Sequence, residues 1–273
     1  MKKIYIVLII CASLLMLTSA EIRLESETRP PALMYHSISD NDWQVTAENF
    51  EAQILYLVEN GYNFLFPKDI YNSDNYDKPI IITFDDGYAD NYYVAFEILK
   101  EHNVKATIFM ITELIGQDGW LTAEQIQEME ASGLVLVEPH THDHLDLSRL
   151  APDQIREQLE VSNAIIKEIT GREPRVFAYP YGGFNAAAKK IASDYYDIAF
   201  ATGNGDQRDM MILHRFGVYN DMNAFKRSAA GIIGDEPPPF RLRYRYRLLI
   251  AATGMACAFG AGFLIYIKIK KSK

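Results

Sequence analysis

Short apolar runs alternate with longer amphipathic stretches through most of the chain, a pattern that predicts parallel strands joined by helices. Strands are expected at Ala32 to Tyr35, Tyr62 to Leu65, Pro79 to Phe84, Ala106 to Ile111, Leu134 to Glu138, Arg175 to Tyr179, Ile198 to Thr202 and Ile212 to Val218. Between them, Thr46 to Asn60 places Phe50, Ile54, Leu57 and Val58 on one helical face, starts at a threonine suited to capping and stops at Gly61. Thr122 and Gln125 have the spacing of a capping box for a helix running to Ser132, with Gly133 beyond it. Pro152 to Thr170, ended by Gly171, predicts a third helix.

The two ends break this pattern. Lys2-Lys3, the apolar run Ile4 to Leu17 and Thr18-Ser19-Ala20 form the three parts of a secretory signal, so residues 1–20 are read as a signal peptide. Leu248 to Ile267 is a run of 20 residues without a charge, long enough to span a bilayer, with arginines before it and lysines after it. Residues 248–267 are therefore expected to form a transmembrane helix, preceded by a Pro/Arg-rich juxtamembrane linker at 237–247 and followed by a basic cytoplasmic tail at 268–273. Basic residues flank the span on both sides, so the signal peptide decides the orientation. The domain at 21–236 is placed outside a cell membrane that the chain crosses once. Its length suits one catalytic domain and a monomer.

Charge then narrows the partners. All 36 acidic residues but only 17 of the 27 basic ones lie between Glu21 and Phe240, leaving that segment with 19 excess negative charges. Nucleic acid is excluded as a partner on this ground. Cys11 and Cys257 both fall in the apolar ends, so the domain between them has no disulfide and must be held by its core.

Three segments carry chemistry. Thr83-Phe84-Asp85-Asp86-Gly87 follows the apolar Ile80-Ile81-Ile82, so two carboxylates arrive where a strand becomes a loop, the edge on which parallel sheets build their sites. His140-Thr141-His142-Asp143-His144 sets two imidazoles four residues apart, a spacing that brings both rings to one side of a helical turn. One Asp with two His suits a catalytic zinc-like ion and leaves a coordination position open. Arg175 to Gly183 ends in Tyr179-Pro180-Tyr181-Gly182-Gly183, a tight loop whose backbone N–H groups could face a developing oxyanion.

In this order and at these separations, the three segments resemble the polysaccharide deacetylase family, carbohydrate esterase family 4, from about Pro31 to Val218. The resemblance implies a distorted (β/α) barrel in which Asp86, His140 and His144 bind a divalent metal and Asp85 is the general base. Tyr181 matches the family residue whose backbone N–H helps hold the oxyanion. Leu33-Met34-Tyr35-His36-Ser37 further resembles the branch that includes poly-N-acetylglucosamine deacetylases, which implies His36 as general acid. Two departures stand out. Ala178 occupies the position where the family often has the arginine that partners the base, and Arg175 or Arg215 is expected to replace it. Leu213-His214 lacks the residue that separates Leu from His in the family's later motif, so His214 is expected to be structural, as are His102 and His142.

The implied reaction removes N-acetyl groups from an N-acetylated polysaccharide, of peptidoglycan, poly-N-acetylglucosamine or chitin-like type, and releases acetate. Asp85 must be ionised and His36 protonated together, which predicts a bell-shaped rate profile. A mixed nitrogen and oxygen ligand set takes Zn2+ and equally admits Co2+, Ni2+ or Mn2+. Two other functions stay open at this point: an amidase for a small cyclic amide, and a catalytically silent glycan-binding domain, which Ala178 favours.

Overall fold

In the computed structural model, residues 29–40 and 44–231 are described. The expected signal peptide, linker, transmembrane helix and tail lie outside them. Among the described residues, no helix is long and apolar enough to cross a membrane.

The chain folds as an alternating succession of strands and helices. In chain order these are β1 (Ala32–Tyr35), α1 (Ala47–Glu59), β2 (Asn63–Phe64), β3 (Pro79–Asp86), α2 (Glu97–His102), β4 (Ala106–Met110), α3 (Ala123–Ala131) and β5 (Val135–Pro139). They continue with α4 (Pro152–Thr170), β6 (Val176–Ala178), α5 (Ala186–Ala192), β7 (Ile198–Ala201), β8 (Leu213–Gly217) and α6 (Met222–Ala229). The main path of the sheet runs β5-β4-β3-β1-β8-β7-β6 and every pairing is parallel, with β2 added beside the start of β3. All eight expected strands are present. The three expected helices also form, with Thr46 accepting from the Asn49 N–H, a reciprocal Thr122–Gln125 capping box, and Gly171 in the left-handed region.

Strand periodicity sorts the side chains into two layers. From β3, Ile80, Ile82 and Phe84 pack outward against the helices together with Phe50, Ile54 and Leu57 of α1, whereas Ile81 packs inward with Phe109, Val176, Ala178, Ile198, Phe200 and Leu213. The same alternation carries Thr83 and Asp85 into the barrel from β3 and Arg215 into it from β8. Polar side chains thus fill the upper part of an otherwise apolar interior.

Among the described residues no backbone ladder joins β5 to β6, so the barrel keeps a seam there. Side chains bridge it. Glu138 Oε2 accepts from the N–H groups of Arg175 (3.1 Å) and Val176 (3.3 Å), and the His140 ring bonds across the same gap through Nδ1 to the Ala178 carbonyl (2.7 Å).

Candidate active site

β3 runs two residues further than its apolar pattern predicts and includes both aspartates. Asp86 ends it in the left-handed region (φ 72°), and Gly87 continues there (φ 87°), where a Cβ would collide with Met110 Sδ. This reversal sends adjacent carboxylates to different tasks. Asp85 stays inside the barrel, while Asp86 turns toward the loop after β5.

The Asp85 carboxylate is 3% exposed and is gripped by Arg215, with Nη1 donating to Oδ1 (2.5 Å) and Nη2 to Oδ2 (2.6 Å). Arg215 lies between the rings of Phe109 and Phe200, 5.2 and 5.8 Å from their centroids, and Nη1 also donates to Thr83 Oγ1 (3.2 Å). Burial alone would raise the Asp85 carboxyl. The facing guanidinium, reinforced by His140 and His36, overcomes that and holds it at about 2.

Asp86, His140 and His144 offer ligand atoms that all lie within 4.8 Å of one another. Asp86 Oδ1 is buried and has no hydrogen-bond partner, a costly condition for a carboxylate oxygen that a cation would relieve. With Nδ1 donating to Ala178, the His140 ring presents the lone pair of Nε2 to the aspartates, 3.8 Å from Asp86 Oδ1. Burial, opposed by Asp85 and Asp86, lowers His140 and favours the neutral ring that a metal needs. The donor set fits a divalent ion.

Contrary to the sequence expectation, His140 and His144 do not share a helical turn. They lie on an irregular loop in which Thr141 (φ 68°) and His144 (φ 57°) are both left-handed, and the rings meet at 5.0 Å because the backbone doubles back. The N–H groups of Thr112 and Glu113 donate to the Thr141 (3.3 Å) and His142 (3.1 Å) carbonyls, and two side chains hold this strained loop as well. Thr141 Oγ1 accepts from the His144 N–H (3.1 Å), and buried Gln158 of α4 accepts from the N–H groups of His142 (3.1 Å) and Asp143 (2.9 Å) while donating to Asp143 Oδ2 (2.9 Å). Gln158 has no motif of its own and was not identifiable as a site-supporting residue from the sequence.

His36 follows β1 and lines the same cleft as Asp85, Asp86, His140, His144 and Tyr181, a space of about 390 Å³. Its carbonyl accepts from Nδ2 of buried Asn91 (2.8 Å), and the adjoining turn is pinned by Asp90, which accepts from Ser37 Oγ (2.5 Å) and the Ile38 N–H (3.0 Å). Tyr181 is left-handed (φ 58°), with its ring 4.6 Å from that of His144. The turns around it are closed by the N–H groups of Gly182 and Gly183, which leaves the Tyr181 N–H out of both.

With this geometry in view, the comparisons are specific. The chain is 39% identical over 216 residues to YxkH of Bacillus subtilis, a protein assigned to the polysaccharide deacetylases, covering 76% of this chain and 77% of that one. The chain belongs to the polysaccharide deacetylase family. The family model, described as polysaccharide deacetylase, matches residues 72–196. The chain is also 29% identical to a poly-beta-1,6-N-acetyl-D-glucosamine N-deacetylase of Staphylococcus aureus, over 53% of this chain and 56% of that relative's length. Among solved structures, the Streptococcus pyogenes deacetylase PplD in complex with acetate superposes with a TM-score of 0.69 at 28% identity, over 77% of this chain and 99% of that one. The chain is accordingly a polysaccharide N-deacetylase.

Of the two arginines offered as replacements at the Ala178 position, Arg215 reaches Asp85 from β8. Arg175 does not: it pairs with Asp197 (3.0 Å) at the start of β6, on the surface and at the opposite end of the strand from Ala178. Ala178 contributes its carbonyl instead. His142 faces away from the ligand group, bonding Thr112 Oγ1 through Nδ1 (3.0 Å), and His214 packs edge-on against Phe216 (4.9 Å). His102 joins Glu51 and Glu101 in a separate carboxylate and imidazole group outside the cleft.

Proposed function

We propose that this deacetylase is metal-dependent, that it works outside the cell on an acetamido-sugar polysaccharide of the poly-N-acetylglucosamine or peptidoglycan type, and that residues 248–267 hold it to the membrane. The observation that carries the metal-dependent reaction is one cleft in which a group of three candidate ligands, with an Asp86 oxygen that accepts no hydrogen bond, stands beside a carboxylate kept ionised by Arg215; the location rests on the sequence of the two ends.

Asp86, His140 and His144 would hold the ion, whose chemistry is Lewis-acid polarisation of the amide carbonyl and of water. Asp85 takes a proton from the attacking water as its oxygen adds to the acetyl carbon. The Tyr181 N–H donates to the oxyanion that forms. His36, protonated, gives its proton to the departing sugar nitrogen as the C–N bond breaks, leaving acetate and a free amine. Because Asp85 is held at about 2, it stays ionised throughout the neutral range, and an acid limb in the rate profile has to come from another group.

Acetate release from N-acetylglucosamine oligomers by the full chain, before and after chelation and after readdition of single metals, tests the reaction. Release that survives exhaustive chelation would overturn metal dependence. For location, a stop after Phe240 is expected to move activity from washed membranes to the soluble fraction, and persistence in the membranes would point to an N-terminal anchor.

A further inference from the structure

At the mouth of the cleft Tyr219 keeps 60% of its surface exposed, whereas Asp85 at the floor keeps 3%. A lone exposed tyrosine would mean little. This one is built in.

The residue before it is locked to the sheet, since the Val218 N–H donates to the Met34 carbonyl (3.1 Å). The Tyr219 carbonyl accepts from Nε2 of Gln53 (2.9 Å), whose Oε1 accepts from the Tyr35 hydroxyl (2.9 Å). Gln53 is fully buried on α1 among apolar neighbours, and burying an amide there is worthwhile only because both of its ends are satisfied. The residue after it is fixed as well. Asn220 Oδ1 accepts from the Thr46 N–H (3.0 Å) and Asn49 Nδ2 (2.9 Å), and its Nδ2 donates to the Gln44 carbonyl (2.8 Å).

Gly217 supplies an independent sign. Its φ lies outside the left-handed region, so the backbone does not require glycine. A Cβ at this position would instead stand 3.3 Å from the Tyr219 hydroxyl and 3.6 Å from two ring carbons. What the glycine leaves room for is the ring, folded over the end of β8.

A rigid aromatic face at the rim of a cleft is a preorganised surface for a flat apolar face of a ligand. The axial C–H face of a pyranose is such a ligand. Resting on the reading that the substrate is an acetamido-sugar polymer, we infer that Tyr219 stacks against the sugar residue adjacent to the one being deacetylated. The reacting acetamido group must descend to Asp85, and the neighbouring sugar is the part of the chain left at the rim. Tyr219 thereby makes the site select polymer over single sugar.

The test measures kcat/KM for acetate release from N-acetylglucosamine oligomers of one and four units, using the full chain as wild type, Tyr219→Ala, Tyr219→Trp and Gly217→Val. The tetramer-to-monomer ratio is expected to fall about tenfold in Tyr219→Ala, carried by KM, as loss of one stacking contact of roughly 1.4 kcal/mol requires. Tyr219→Trp is expected to restore the ratio, and Gly217→Val, which displaces the ring, to lower it. A ratio that does not move in Tyr219→Ala, or a failure of Tyr219→Trp to restore it, overturns the platform while leaving the proposed reaction standing. If wild type releases no acetate from either oligomer yet hydrolyses 4-nitrophenyl acetate, the proposed substrate class falls and the platform with it.

Discussion

Asp85 and Glu138 are both strand carboxylates sealed inside the barrel against an arginine, at 3% and 2% exposure, yet their protons are held in opposite ways. Asp85 is held at about 2, whereas burial pushes Glu138 up despite its contact with Arg172 (2.7 Å). The difference lies in what else each arginine does. Arg215 gives both terminal nitrogens to one carboxylate between two aromatic rings, and His140 and His36 add to its field. Arg172 divides its donors among Glu130, Glu138 and the Val137 carbonyl and remains partly open to solvent. A guanidinium shared in this way does not outweigh the desolvation of Glu138. One pair thus maintains a charge at the floor of the cleft. The other closes the β5–β6 seam, where Glu138 accepts two backbone N–H groups that no ladder serves.

The largest expected effect breaks this comparison at its functional end. Asp85→Asn should lower turnover by about 10² or more while metal content, read by elemental analysis, stays stoichiometric. Glu138→Gln should retain most of the activity. Equal losses in the two variants would mean that the charge on Asp85 has no special task.

Next in size is stability. Arg215→Met leaves a buried carboxylate without its partner and is expected to cost about 3–5 kcal/mol in denaturant unfolding. Adding Asp85→Asn to that variant should recover part of the loss, because the stranded charge is gone. A double variant no more stable than Arg215→Met alone would show that the arginine acts through its packing between Phe109 and Phe200.

How far the sequence could carry these assignments depended on whether a residue announces itself through its neighbours. The strands were legible because buried parallel strands read as short apolar runs, α1 and α3 because each starts at a capping threonine, and α4 because a proline opens it and Gly171 ends it. α2 lacks a start signal because the segment that leads into it, Asn91–Phe96, is π-helical and no side chain caps either one. α5 and α6 are short, and their capping residues Asn185 and Asp221 are the local signal that marks them. Asp85, Asp86, His140 and His144 stand in short motifs, so the sequence brings these four together as candidates, and they line one cleft. The backbone of the His140–His144 loop was not legible, because two left-handed non-glycine residues are held there by the Thr141 hydroxyl and by Gln158 of α4 against their own backbone preference. Arg215 could only be offered beside Arg175, since inward direction on β8 depends on a register that sequence does not state.

Gln158 sharpens the comparison from the metal side. It is a buried polar residue that acts on the ligand loop through three hydrogen bonds rather than through charge. Gln158→Ala should weaken metal affinity about tenfold, measured by competition with a chromogenic chelator, and Gln158→Glu should recover little because Asp143 faces it. Unchanged affinity in Gln158→Ala would leave the Thr141 hydroxyl as the main brace of the loop.

The smallest effect concerns how stability changes with pH, where the two carboxylates should pull in opposite directions. The Asp85 value of about 2 lies below the ordinary unfolded value of about 3.9. Its contribution is therefore fully present above the unfolded value and is lost as pH falls through about 2. Glu138 is raised above its unfolded value. Its contribution is fully present below about pH 4.3, the ordinary unfolded glutamate value, and is lost as pH rises through its folded value. Unfolding free energies of chelated wild type, Asp85→Asn and Glu138→Gln, taken from pH 3 to 8 at fixed ionic strength, separate the two. The difference between wild type and Asp85→Asn should shrink toward acid, whereas the difference between wild type and Glu138→Gln should shrink toward neutral pH. A difference for Glu138→Gln that shrinks toward acid instead would show that Arg172 keeps Glu138 ionised as Arg215 keeps Asp85, and the two buried pairs would then differ in position alone.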